Sequence, residues 1–250
     1  MDFRYYVAFV SEWLGAISVA WLLSISPRLQ KPQIGFKYAR RDGLMALALY
    51  SVILAFVVLF YTFTDPVFPE VERISPAPVH DLNQALIVAL LSLVPFFISL
   101  ILRKQPIKSL GWNPPVFSGG LQMGFAIAVI TIFLRSKIMT ILGGLSAESV
   151  LPLFVGLGIA LAEETIFRGY IQLRLAWWLG PLPGIALTAA LSTLWHLPIW
   201  ITRLPTNTVL ILAGLTFLQA LVLGWIMRKA GHVAAPALYR AASIWMQFLP

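Results

Sequence analysis

Eight long, nearly uncharged stretches divide this chain, at about 6–25, 43–63, 83–102, 118–134, 149–178, 184–201, 209–227 and 234–249. About 20 mainly apolar residues cross roughly 30 Å of hydrocarbon as a helix, so each stretch is a candidate span. The rest of the chain cannot dilute them. Of its 250 residues 59% are hydrophobic and 11% charged, with a mean hydropathy of +0.85. Soluble domains run nearer half apolar and about a quarter charged, and no single soluble core of this length hides the excess. A globular soluble protein and a disordered chain are excluded. The absence of cysteine excludes a disulfide scaffold, thiolate nucleophiles and thiolate metal sites. The expected fold is all-α: a single integral membrane domain, 1–250, of about eight transmembrane helices. The first stretch is read as a span and not a cleaved signal, since it lacks a short core ending in a small-residue site.

The net charge of +8 is assigned to loops at a cytoplasmic face and not to nucleic acid. Arg28, Lys31, Lys37, Arg40 and Arg41 follow the first stretch, and Arg103, Lys104 and Lys108 follow the third. Arg174 ends the fifth, and Arg228 with Lys229 closes the seventh. The other side carries fewer: Arg4, Arg73, Arg135, Lys137 and Arg203. That bias puts the odd loops inside and both termini outside. The 28–41 loop is expected to attract anionic lipid. Compactness and short loops suit a multi-pass protein of a prokaryotic plasma membrane.

An ionisable group near mid-bilayer costs about 2.5–3.5 kcal/mol on insertion scales, so each needs a reason. Glu12 lies near the outer end of its stretch and is read as a carboxylate reaching toward the interface. The fifth stretch differs, because Glu163, Glu164 and Arg168 share one apolar helix. Glu164 and Arg168 are spaced i,i+4 and can pair, whereas Glu163 points about 100° away. The sharp turn 180–184 then folds the sixth stretch back, and equal counting from Leu182 sets His196 level with Arg168. Glu163 and Glu164 lie only four or five residues deeper, roughly 6–8 Å. These groups must face a protein interior or a wet cavity, expected here to open toward the cytoplasm. With Arg168 holding Glu164 as an anion, Glu163 is left as a proton acceptor. Beside an imidazole at water-bridging distance, it can activate water for attack on a carbonyl.

The string Glu163-Glu164-Thr-Ile-Phe-Arg168 resembles the Glu-Glu-x-x-x-Arg signature of the CAAX-protease and bacteriocin-processing (CPBP or Abi) family, the intramembrane glutamic endopeptidases. His196, followed by Leu197 and Pro198, is similar to the family's Phe-x-x-x-His motif, with Ser192 at the phenylalanine position. Ser109-Leu110-Gly111-Trp112 also resembles a family feature, so the likeness covers about 110–243. It implies peptide hydrolysis without a stable metal, on a peptide or membrane-anchored protein. It also implies that Glu163 and His196 activate water, with Glu164 and Arg168 in support. The third motif, His-x-x-x-Asn, gives the family its oxyanion donors. Here Arg240 stands at the histidine position and Ile244 at the asparagine position.

Arg240 therefore has two readings: a guanidinium that stabilises an oxyanion, or a clamp on Glu163 that leaves an inactive relative. His232, beside Lys229, is read as a residue of the cytoplasmic mouth, too shallow for the site. No metal or other cofactor is expected, since zinc wants about three ligands and no His-Glu-x-x-His spacing occurs. His80 is placed in an outer loop. Trp177, Trp178, Trp200 and Trp225 are assigned to interfacial belts. Gly119-Gly120 and Gly143-Gly144 are read as packing or turn glycines. The function expected is an intramembrane endopeptidase. The alternatives are a non-catalytic relative serving in immunity or as a scaffold, or a proton-coupled carrier using the same cluster.

Overall fold

Apolar stretches of this length satisfy their backbone groups internally in lipid only as helices, and helices are what form. A computed structural model describes residues 3–26, 35–64 and 79–249. The helices are α1 (Phe3–Ser24), α2 (Ala39–Thr64), α3 (Val79–Leu102), α4 (Phe117–Leu134) and the short α5 (Ile138–Leu142). Then come α6 (Ala147–Glu164), α7 (Gln172–Leu179), α8 (Pro181–Arg203), α9 (Thr206–Ala230) and α10 (Ala234–Trp245). Between α6 and α7 the backbone is a π-helix, Thr165–Ile171, so one continuous rod runs from Ala147 to Leu179. His80 falls in the first turn of α3. Arg28, Lys31 and Arg73 lie outside the described residues.

Seven of the helical segments are long and apolar enough to cross a membrane, and they coincide with the first seven stretches. The eighth does not follow them. Its helix, α10, has 12 residues, about 18 Å, which is short of a span. It runs beside α4 and α6 and is sheathed by them. Small residues make this possible, since a Cβ at Gly124 of α4 would stand 2.9 Å from the Ala234 carbonyl oxygen and from the Ala235 Cα. Beyond Trp245 the chain leaves the helix, and Lys137 Nζ donates to the Leu249 carbonyl at 2.9 Å.

Two apolar cores flank the rod. On one side α2, α3 and α8 pack around Tyr50, Ile53, Phe96, Phe167, Tyr170 and Trp195. On the other, α1, α4, α9 and α10 enclose Phe9, Trp13, Met123, Ile127, Ile226 and Tyr239. Large apolar side chains such as Leu14, Val52, Phe63, Ile98 and Phe125 face outward, as a lipid solvent permits.

Glu12 corrects the sequence reading. It does not reach toward an interface; it is fully buried and accepts from Arg135 Nε at 2.6 Å. The Arg135 guanidinium also lies 3.9 Å from the Phe9 ring centre. An ion pair shared by α1 and the end of α4 makes burial of the carboxylate tolerable. Removing one partner strands the other, so Glu12→Gln should lower stability by about 3 kcal/mol, and Glu12→Leu with Arg135→Leu by much less. Reversible unfolding in mixed detergent micelles reads both.

Candidate functional site

The site grows from the widened turn in the rod. π-Helical turns are rare and cluster where function or strain requires them. The Thr165 hydroxyl donates to the Leu161 carbonyl at 2.7 Å and accepts from Trp112 Nε1 at 3.0 Å. Such a hydroxyl competes with the backbone for its carbonyl and loosens the helical ladder. Gly169 then lets the chain before α4 pack directly on the π stretch, because a Cβ there would stand 2.0 Å from the Leu110 carbonyl oxygen. Gly111, at φ 78°, passes its own carbonyl to the Val233 amide at 3.1 Å. The 109–112 stretch thus joins the π turn to the entry of α10.

That junction brings the charged groups together. Arg168 Nε lies 3.4 Å from Glu164 Oε2, the expected i,i+4 pair. Arg240 reaches in from α10 and forks across both acids. Its Nη2 pairs with Glu163 Oε2 and its Nη1 donates to Glu164 Oε1 at 3.3 Å. Two carboxylates that diverge by about 100° on an α-helix are bridged because a guanidinium offers donors at both ends of a plane.

His196, on α8, completes the group, with Nε2 3.5 Å from Glu163 Oε2 and 3.2 Å from Arg240 Nη2. Its Nδ1 lies 2.7 Å from the Ser192 carbonyl oxygen. A carbonyl only accepts, so Nδ1 carries a hydrogen, and Nε2 is the ring atom that faces Arg240 and Glu163. Trp195 meets the ring edge-on at 4.9 Å, and Trp200 stacks on it at 5.6 Å with a 24° tilt. Trp200 is therefore a wall of this site as well as a residue near a helix end. Its i,i+4 spacing from His196 was the available signal.

All five residues singled out by sequence, Glu163, Glu164, Arg168, His196 and Arg240, meet in one place. One feature differs from expectation. Glu163, Glu164 and Arg168 are closed in by protein and do not line an open cavity, because the Arg240 guanidinium fills the space between the acids. Only His196 and Arg240 retain some exposure, with side chains 16% and 11% accessible. Glu163 lies midway along the 147–179 rod, and His196 is fifteen residues from the start of α8, about 22 Å.

His232 stays apart, as expected, but for another reason. It is 1% exposed and packs against Trp112 and Phe117, with ring centres 5.4 and 5.1 Å away. Its Nδ1 accepts the Ala234 amide at 3.0 Å, satisfying a first-turn donor of α10. It is a buried cap and not a residue of an open mouth. Gly120, pressed on its Cβ side, is the packing glycine expected.

Fold and site together define an all-α polytopic membrane protein with a buried glutamate–histidine–arginine centre. Residues 145–246, from α6 to α10, match the Rce1-like family model, described as type II CAAX prenyl endopeptidase Rce1-like. This stretch, which holds every residue of the cluster, is therefore similar to the CAAX proteases. No curated protein and no solved structure matches the chain.

Burial pushes the His232 imidazole down to about 4 from 6.5. The unfolded chain takes up this proton near 6.5 and the folded one only near 4. The stability from the neutral ring is therefore complete above about pH 6.5 and is lost as pH falls toward 4. Melting temperatures taken from about pH 7 to about pH 4 should fall less in His232→Gln than in the unaltered protein.

Proposed function

We propose that this chain is an intramembrane endopeptidase of the CAAX type in which Glu163 and His196 activate water against a peptide carbonyl. One observation carries the reading. A carboxylate and an imidazole from different helices stand 3.5 Å apart among membrane helices, each with a partner that fixes its orientation. Glu163 takes a proton from water as oxygen attacks the carbonyl carbon, then returns it to the departing amine. His196 Nε2 holds the attacking water, its tautomer set by the Ser192 carbonyl. Glu164 and Arg168 balance charge beneath the acid. Arg240 swings one end of its guanidinium from Glu163 to the developing oxyanion, the task that the family gives to its third motif. The chemistry uses only the chain's own groups. A guanidinium among the carboxylates opposes a cation there, so strong chelators should leave activity intact.

The ion pair of Arg240 with Glu163 favours a second reading. Where that pair persists, the carboxylate lone pairs are taken and the centre is a non-catalytic relative of the proteases. The substrate class follows the family description: a protein or peptide with a prenylated C-terminal CAAX sequence.

The test uses fluorogenic CAAX-terminated peptides, prenylated and unprenylated, with protein in detergent or vesicles. Cleavage should fall by roughly 100-fold or more in Glu163→Gln and in His196→Ala, with folding checked by melting temperature. Arg240→Ala should lose a similar factor if Arg240 serves the oxyanion. If the unaltered protein is inert and Arg240→His or Arg240→Ala gains cleavage, the clamp reading replaces the first. Proton-coupled flux through vesicles that depends on Glu163 and His196, without cleavage, would overturn both.

A further inference from the structure

A cavity of about 640 Å³ opens at the other end of the bundle, between the entry of α2 and the chain leaving α3. Its charged lining is one-sided: Lys37, Arg41, Arg103 and Lys108 face a single carboxylate, Asp42. Asp42 is already taken, since Arg103 Nη2 pairs with its Oδ1. The cations therefore stand in large excess, and close like charges call for an anion.

The cavity is built and not merely basic. Arg174, fully buried behind it, donates to the Ser109 carbonyl at 2.9 Å, to the Tyr170 carbonyl at 3.0 Å and to Gln105 Oε1 at 2.6 Å. It stacks over Tyr170 at 3.4 Å and Phe36 at 4.8 Å. Sequence counting had treated it as a loop charge, whereas it is the rigid back of this wall. Ser109, 4% exposed, keeps a buried hydroxyl oxygen without a protein partner, and Arg103 Nη1 is likewise buried and unpartnered. Arg41 and Lys37 both lie over the Tyr38 ring, at 4.3 and 5.4 Å, which holds two cations above one apolar platform.

A second hollow of about 480 Å³ shares Tyr38 and Arg41 with the first and continues along Ala39, Arg40 and Leu44. Ile101 and Leu102, which precede the lining residue Arg103 at the end of α3, are exposed apolar side chains. Charged and apolar spaces thus adjoin where the helices leave hydrocarbon. A free phosphate would use only the first space; a phospholipid would use both. This is also the face that the positive-inside bias assigns to the anionic leaflet.

We propose that the two hollows form a binding site for an anionic phospholipid. Lys37, Arg41, Arg103 and Lys108 surround its phosphate, with the Ser109 hydroxyl as a further donor, and Tyr38 and Leu44 cover the glycerol and upper acyl carbons. The site holds a lipid whether or not the distant glutamate–histidine centre cleaves peptides.

The full chain in nanodiscs of phosphatidylcholine, with and without phosphatidylglycerol, tests this by melting temperature and by lipid retention in native mass spectrometry. Phosphatidylglycerol should raise the melting temperature and remain bound, whereas inorganic phosphate and glycerol 3-phosphate should do neither. The triple variant Lys37→Gln, Arg41→Gln, Lys108→Gln should lose roughly 100-fold in lipid affinity. Its melting temperature in phosphatidylcholine alone should match the unaltered protein, because these side chains are exposed. Neutralising Arg228 and Lys229 instead should leave lipid retention unchanged. The proposal is overturned if phosphatidylcholine stabilises equally, if the triple variant responds as the unaltered chain does, or if inorganic phosphate alone reproduces the shift.

Discussion

Four formal charges lie together in an apolar bundle, and their mutual neutralisation is the condition on which the rest of the structure depends. Glu163, Glu164 and Arg168 arrive on one rod, and that rod alone carries one more acid than base. An uncompensated charge at this depth is among the costliest features a membrane protein can hold. Arg240 supplies the missing cation, and only α10 can deliver it. The small residues of α10, the glycine face of α4 and the tether from Gly111 to Val233 all serve that delivery. A helix too short to span a bilayer is tolerated because its purpose is to place one guanidinium, with other helices around it.

The same contact that completes the charge balance bears on the proposed chemistry. A guanidinium bonded to Glu163 and His196 stands where an oxyanion donor would be useful, yet occupies the lone pairs that water needs. In this chain one charged group, Arg240, contacts Glu163, Glu164 and His196 at once. Match to the family and departure from it fall within the same stretch, 145–246.

The π turn shows why some of this was hidden. Helical periodicity places Glu164 and Arg168 on one face, and the pair forms as counted. A hairpin with Gly180 at φ 97° also justified counting depth from the turn, and His196 does reach Glu163. The widened backbone at Thr165–Ile171 was not legible, because it arises from a threonine hydroxyl, a distant tryptophan and the carbonyl of Leu110 pressing on Gly169. Glu12 with Arg135, 123 positions apart, and Asp42 with Arg103, 61 apart, were equally hidden. Each looks like an isolated charge until helices pack. Arg174 counted as a loop cation for the same reason.

The amino-acid sequence by itself determined the solvent, the helical class, seven of the eight stretches read as spans and the short roster of charges that a membrane interior would have to reconcile. Those follow from hydropathy and from spacing along one helix, which are local properties. Tertiary structure alone decided the rest: that α10 is a sheathed half-span, that His232 is a buried cap, that Arg240 bridges two acids and an imidazole, and that the basic loops close around a cavity. These depend on distances between segments far apart in the chain. Such distances are set by small-residue packing and by the pairing of buried charges, neither of which leaves a periodic mark in the order of residues.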